Sequence, residues 1–299
     1  MTDKMEEQKK DVIMQEEQDK KQGTEKKKKK KKKKKPDTVT LICMVVGVLL
    51  IVFALSQLIP VLYHYVTEEN AYEDMREEYV SVDDAKKKNG ETEADKNWWY
   101  ENISVDLEAL QKENKEAAAW IRFDSMDLSY PVMYSGDNEK YLHRDLDGKD
   151  SKAGSLFIDE KNSPDFSDRD TIIYGHNMKN LSMFGRLKKY KKDGFYEDNQ
   201  YFTIYTTTKA YRYHIFSYFD IDETNDFFFT SYESDDAMAS LISTMKKKSY
   251  TNTGVEVSKE DKVVTLSTCS AEGYRFLVNA VLEEEHDMTT QDKTTQEEE

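Results

Sequence analysis

Twenty-four consecutive residues without a charge, Val39 to Leu62, divide this chain of 299 residues. As a helix rising about 1.5 Å per residue, the run would be about 36 Å long, enough to cross a hydrocarbon core of roughly 30 Å. Its flanks orient it. Residues 1–35 carry 15 lysines against 8 acidic residues, and Lys26 to Lys35 are ten lysines in succession. Lysines on one side of a span mark the cytoplasmic side. A cleaved signal peptide is the alternative, but the run is longer than a typical apolar h-region and no small-x-small cleavage site follows it. Residues 38–62 are therefore expected to be an uncleaved single-pass anchor in the cell membrane. The N-terminus would then be cytoplasmic and the rest of the chain extracellular. Cys43, inside the run, is expected to be a structural or lipid-facing thiol.

Charge narrows the partners. Beyond residue 35 the chain holds 29 basic and 51 acidic residues, a net charge of −22. Such a body excludes nucleic acid as the main partner, and the neighbouring apolar run assigns the lysine block to the membrane surface. Residues 1–37 are too polar to build a core and are expected to be a disordered tail. Residues 63–97 read as a charged extracellular stalk, and 283–299 as a disordered acidic tail. Only two cysteines occur, Cys43 and Cys269. They make no disulfide framework, so the domain between the tails, 98–282, must fold on an apolar and aromatic core without covalent staples.

Within that domain, Trp98 to Trp120 reads as a helix, with Ile103, Leu107 and Leu110 at helical spacing and alanines at 117–119. Short β-branched and aromatic runs follow. Strands are expected near 119–123, 128–133, 154–158, 171–175, 201–206, 211–221, 263–269 and 274–282. Ser234 can cap a helix whose apolar stripe is Met238, Leu241, Ile242 and Met245, and a shorter helix should cover Met183–Tyr190. The fold class is mainly β: a closed eight-stranded barrel with peripheral helices, preceded by one transmembrane helix.

The chemistry centres on Cys269 and Arg275. Cys269 ends a β-branched strand, and Arg275, the only arginine after it, opens the next. An exposed thiol beside a fixed cation suggests nucleophilic catalysis, which needs a base. Of the five histidines, His64 borders the apolar run, His286 lies in the acidic tail, His143 in a polar loop and His214 within an aromatic strand. His176 ends the run Thr171-Ile-Ile-Tyr-Gly175 and can face a cleft. Spacing alone leaves a catalytic role and a loop position both open for it.

Thr265-Leu-Ser-Thr-Cys269 resembles the T-L-x-T-C signature of sortases. Asp170-Thr-Ile-Ile-Tyr-Gly-His-Asn-Met178 and Ser182-Met-Phe-Gly-Arg-Leu187 resemble class B sortases in particular. So do Trp120-Ile-Arg, Tyr130-Pro-Val, Asn138-Glu-Lys-Tyr-Leu142, Lys152-Ala-Gly-Ser-Leu-Phe-Ile-Asp159, Asp165-Phe-Ser-Asp168 and Thr253-Gly-Val-Glu-Val257. The resemblance runs from about Trp98 to Leu282 and implies a sortase-type barrel. It implies a cysteine transpeptidase that cleaves a C-terminal sorting signal of secreted proteins after threonine, through a thioacyl-enzyme, and passes the protein to an amine of the cell wall or of a pilin. In that scheme Cys269 is the nucleophile, His176 the proton donor and acceptor, and Arg275 the oxyanion and substrate clamp. The six-residue step from Cys269 to Arg275 is short beside the family pattern. Arg275 is expected on the thiol side of the sheet, on the face opposite His176. Asn138 and Leu142 are expected to contact the sorting peptide. Ser267, two residues before Cys269, is expected to line its groove, and Asn177 to line the site, orient His176 or cap a turn.

No cofactor and no metal are expected. Asp165, Asp168 and Asp170 alternate, but without the glycine and terminal glutamate of a calcium loop. A cysteine endopeptidase with water as acceptor, and an inactive surface-binding β-domain, are the alternative readings.

Overall fold

In the computed structural model of the protein, the structure describes residues 37–82, 98–224, 234–271 and 273–288. The chain divides into two units, residues 1–61 and 62–299. The described part of the first is helix, and Thr38–Ile59, with mean hydropathy 2.9, is long and apolar enough to cross a membrane. It belongs to α1 (Thr38–Tyr79). Cys43 is exposed on it.

The second unit is built on a closed barrel. Its strands are β3 (Ala117–Phe123), β4 (Ser129–Met133), β5 (Leu156–Ile158), β6 (Asp170–Tyr174), β7 (Tyr201–Tyr205), β8 (Lys209–Asp222), β9 (Val263–Ala271) and β10 (Tyr274–Asp287). Around the barrel they run β10-β8-β7-β3-β4-β5-β6-β9, and β9 pairs with β10 to close it. The β4–β5 and β6–β9 pairs are parallel and the others antiparallel. A small two-stranded sheet pairs β1 (Val80–Val82) with β2 (Ile103–Val105).

Alternation along the strands sorts the side chains into two layers. Ile121, Phe123, Leu156, Ile158, Ile173, Leu266, Phe276 and Val278 share one buried cluster, the barrel lumen. Their neighbours Trp120, Phe157, Ile172, Tyr174 and Leu277 face outward into a second cluster. There they meet Trp99 of α2 (Trp98–Glu101), Leu107 and Leu110 of α3 (Leu107–Glu113), and Leu241 and Met245 of α4 (Asp235–Lys248). Ser234 caps α4 as expected, its Oγ accepting from the Ala237 N–H.

The structure departs from the expected elements in three places. The helix expected over Trp98–Trp120 is broken into α2, β2 and α3, and Ala117–Ala119 lie in β3. Asn114 ends α3 in extended conformation, and its Nδ2 donates to the Leu146 carbonyl and the Tyr141 hydroxyl. Beyond it the alanines, good helix formers in isolation, are claimed by the barrel, so tertiary pairing overrides propensity. The helix near Met183–Tyr190 is a 3-10 helix, Phe184–Lys191. The acidic tail begins later than expected, because β10 continues to Asp287 in register with β8 down to Lys209. Lys209 Nζ reaches Glu285 at 2.9 Å there, and His286 stacks on Tyr100. Residues 289–299 lie outside the described residues, as do 1–36.

The last turns of α1 pack on the barrel. The Tyr72 hydroxyl donates to the Gly154 carbonyl at 2.8 Å, and its ring meets Tyr130 edge-on at 5.4 Å. Arg76 pairs with Asp127. The expected stalk thus includes a helical segment with one face buried. Residues 83–97 of that stalk lie outside the described residues.

Candidate active site

The site forms where β6, β9 and β10 end side by side. The parallel β6–β9 ladder closes with Tyr174 opposite Ser267, and the Gly175 N–H donates to the Ser267 carbonyl at 3.1 Å. Two residues further along lie His176, just beyond β6, and Cys269, on β9. On the opposite flank, Arg275 of β10 pairs in register with Cys269. The strand carrying the thiol thus lies between the strand that leads to the histidine and the strand that opens with the arginine.

Gly175 makes this approach possible. A Cβ at residue 175 would sit 2.6 Å from Cδ2 of Phe184, against side chains that are fully buried. Only glycine lets β6 pass so close to the 3-10 helix before the chain turns to present His176.

His176 is partly buried, and its Nε2 lies 2.8 Å from the Leu142 carbonyl. A carbonyl accepts only, so Nε2 carries a proton and Nδ1 is left free. The His143 ring is 6.5 Å away. His214, on β8, pairs through Nδ1 with Glu283 of β10 at 2.7 Å.

Arg275 reaches across β9. Its guanidinium lies over the Tyr174 ring, 5.4 Å from the centroid, and its Nε is shielded from water without a hydrogen bond. Tyr174 and Leu142 both pack with the outer cluster, so Arg275 and His176 share one face of the sheet. They flank the Cys269 strand from its two sides and do not lie on opposite faces, because the Arg275 guanidinium crosses β9 to rest on Tyr174, two residues before His176 and so on the same face.

Ser267 is 3% exposed, between Tyr174 on β6 and Leu277 on β10. Asn138 is tied to the loop after β5: its Nδ2 donates to Asp159 at 3.2 Å and its Oδ1 accepts from the Glu160 N–H at 2.9 Å. Leu142 contributes the carbonyl that holds His176. Asn177 forms a bridge with Met183, and its Oδ1 is buried without a partner. The alternating aspartates are engaged in local hydrogen bonds. Asp168 accepts from Asn162 and the Ser163 N–H, Asp165 from the Ser167 N–H, and Asp170 from Thr265.

Two residues went unmarked in the sequence, Tyr174 and Asp159. The Tyr174 hydroxyl donates to Asp159 at 2.9 Å. Burial, reinforced by the Asp159 charge, pushes the Tyr174 phenol well above its usual range, so it stays a neutral donor. The available signal was position: an aromatic residue directly before Gly175-His176, and an acidic residue at the end of a buried strand.

The arrangement joins a thiol position, an imidazole with one nitrogen free and a guanidinium with donors uncommitted among the described residues, a set suited to acyl transfer. Residues 121–283 match the family model described as Sortase domain. The chain is 34% identical over 172 residues to Sortase B of Listeria monocytogenes, covering 57% of this chain and 69% of that one. It is 31% identical over 169 residues to Sortase B of Staphylococcus aureus, covering 56% and 69%. Among solved structures, sortase B from B. anthracis in complex with AAEK1 superposes with a TM-score of 0.62 at 29% identity, covering 74% of this chain and 98% of that one. The Staphylococcus aureus sortase B–substrate complex gives a TM-score of 0.62 at 26% identity, covering 74% and 99%.

Proposed function

The chain belongs to the class B sortases, cysteine transpeptidases that cleave a sorting signal and transfer the protein to a cell-wall acceptor, and on that premise we propose how its residues divide the work. Cys269 attacks the carbonyl carbon of a threonine in the sorting signal. The tetrahedral oxyanion is held by N–H donors of Arg275 and by backbone amides near Cys269. As the C–N bond breaks, imidazolium His176 gives the proton at Nδ1 to the leaving amine, and a thioacyl-enzyme remains. An amine, of a cell-wall peptide or of a pilin, attacks the thioester carbonyl. His176 takes its proton back, and the thiolate leaves. One observation carries this reading: Cys269 pairs in register with Arg275 on one flank, while the strand on the other flank runs on to His176.

The sorting peptide would run along the loop 138–142 and past Ser267 and Asn177. Clients would be secreted proteins with a C-terminal sorting signal. The topology that fits is a single-pass membrane protein, anchored through 38–62 with the lysine-rich 1–37 in the cytoplasm. The stalk 63–97 and the catalytic domain, from residue 98 to the end of β10 at Asp287, would then be outside. The run of lysines on the N-terminal side of the apolar helix supports this orientation.

The test uses the full-length protein in nanodiscs and a quenched fluorescent peptide pool with one threonine fixed, with and without an added amine. Amine-dependent ligated product is expected, along with complete loss in Cys269→Ala. Cleavage indifferent to the amine would favour hydrolysis, and turnover surviving Cys269→Ala would overturn the assignment. Arg275→Ala is expected to lose about 10²-fold or more of the activity.

A further inference from the structure

The chain contains seven arginines. Six of them, Arg76, Arg122, Arg144, Arg169, Arg186 and Arg212, each pair with an aspartate. Arg275 does not. Among the described residues its guanidinium has a ring, Tyr174, where the others have a carboxylate. The carboxylate is one step further back: Tyr174 donates its hydroxyl to Asp159, which is 2% exposed. Asp159 is fixed in turn by Asn138 Nδ2 and by the Lys161 N–H at 2.9 Å. Tyr174 itself is 8% exposed and packs against Phe157 at 5.3 Å.

We propose that Tyr174 is a positioning residue for the transpeptidation. Its π face fixes the Arg275 guanidinium across the strand that carries Cys269, and Asp159 fixes the ring. This rests on the reading of Arg275 as the oxyanion donor. A carboxylate partner would occupy the N–H donors of the arginine and neutralise the charge that an oxyanion needs. A ring face attracts the cation electrostatically and uses none of its donors. The buried Asp159, bonded to the phenol, orients the ring. By accepting the hydrogen bond from the phenol it also enriches the π face on which the cation rests. The arginine is therefore held before substrate arrives, with its hydrogen-bonding capacity still free.

Full-length protein in nanodiscs and the fixed-threonine peptide pool serve as the assay. Tyr174→Leu is expected to lower kcat about 5- to 30-fold, the range of a desolvated cation–π contact, with KM nearly unchanged. Tyr174→Phe keeps the ring and should lose less than about 3-fold on the same scale. Arg275→Ala should cost about 10²- to 10³-fold, as removal of an oxyanion donor does. Tyr174→Leu should then cost nothing further in the Arg275→Ala background. Losses that multiply in the double variant would show that Tyr174 acts structurally and would overturn the proposal. Arg275→Ala with wild-type turnover would instead overturn the reading of Arg275 itself. Phenylalanines with increasing ring fluorination, introduced at 174, keep shape while weakening the π face. Should Tyr174→Leu misfold, kcat must still fall along that series, and a flat series would overturn the proposal.

Discussion

His176 donates its Nε2–H to the carbonyl of Leu142 at 2.8 Å. Leu142 closes the loop that Asn138 opens, so the backbone of the candidate peptide-binding loop sets the tautomer of the candidate base. Nδ1 is the nitrogen left to exchange protons. Nitrogen-15 NMR of the histidine-labelled protein is expected to show neutral His176 protonated at Nε2 and bare at Nδ1. The reverse pattern would remove this loop from the catalytic apparatus.

The glycine before that histidine has no room to grow. Gly175→Ala would drive a methyl into Leu156 and Phe184, both fully buried. Overpacking of this kind costs about 1–3 kcal/mol. A thermal melt of the variant should show a clear fall in Tm, and turnover should drop further than the folded fraction explains, because β6 can yield only by moving His176. A variant with native Tm and native rate would mean that the strand end is looser than the packing indicates.

Glu116 anchors the same loop from the other side. It accepts from Lys140 Nζ and the Tyr141 hydroxyl, both at 2.6 Å. Burial raises its pKa, but these hydrogen bonds outweigh that and hold the carboxyl below its usual value. A depressed folded-state pKa contributes stability that is present above the unfolded value of about 4.3 and is lost as pH falls through the folded value. Glu116→Gln should therefore melt earlier than wild type at neutral pH, and the gap should close under acid conditions. A gap that stays constant into acid would show that the carboxylate charge contributes nothing.

The barrel was legible because its strands alternate. Ile121, Phe123, Ile173, Leu266 and Phe276 enter the lumen while Trp120, Tyr174 and Leu277 turn outward. Local patterns failed where a distant partner decided the outcome. Ala117–Ala119 favour helix in isolation but fill a strand between β4 and β7. Glu283–Asp287 read as a solvated tail but are held by the start of β8, through His214 and Lys209. His176 could be singled out because a strand, a glycine and a histidine in succession mark a strand end. Tyr174 could not, since its role depends on Arg275, 101 positions away in sequence, and on Asp159, which lies on another strand end.

The short step from Cys269 to Arg275 is accommodated by a bulge. Tyr274 pairs with Ala271, yet Arg275 pairs with Cys269, so Ser270 is the extra residue on β9. A regular ladder continuing from Tyr274 would have set Arg275 opposite Ser270 and left the arginine out of step with the thiol position. Bulges re-aim side chains beside active sites in this way. The double substitution Tyr274→Arg/Arg275→Tyr keeps composition and net charge but moves the guanidinium one residue along the strand, to a position that is 48% exposed. If placement matters and bulk charge does not, kcat on a sorting peptide should fall about 10²-fold or more, close to Arg275→Ala, while Tm changes little. Turnover within about 3-fold of wild type would mean that a cation anywhere near the turn suffices, since electrostatics at that distance through solvent discriminates weakly between neighbouring positions.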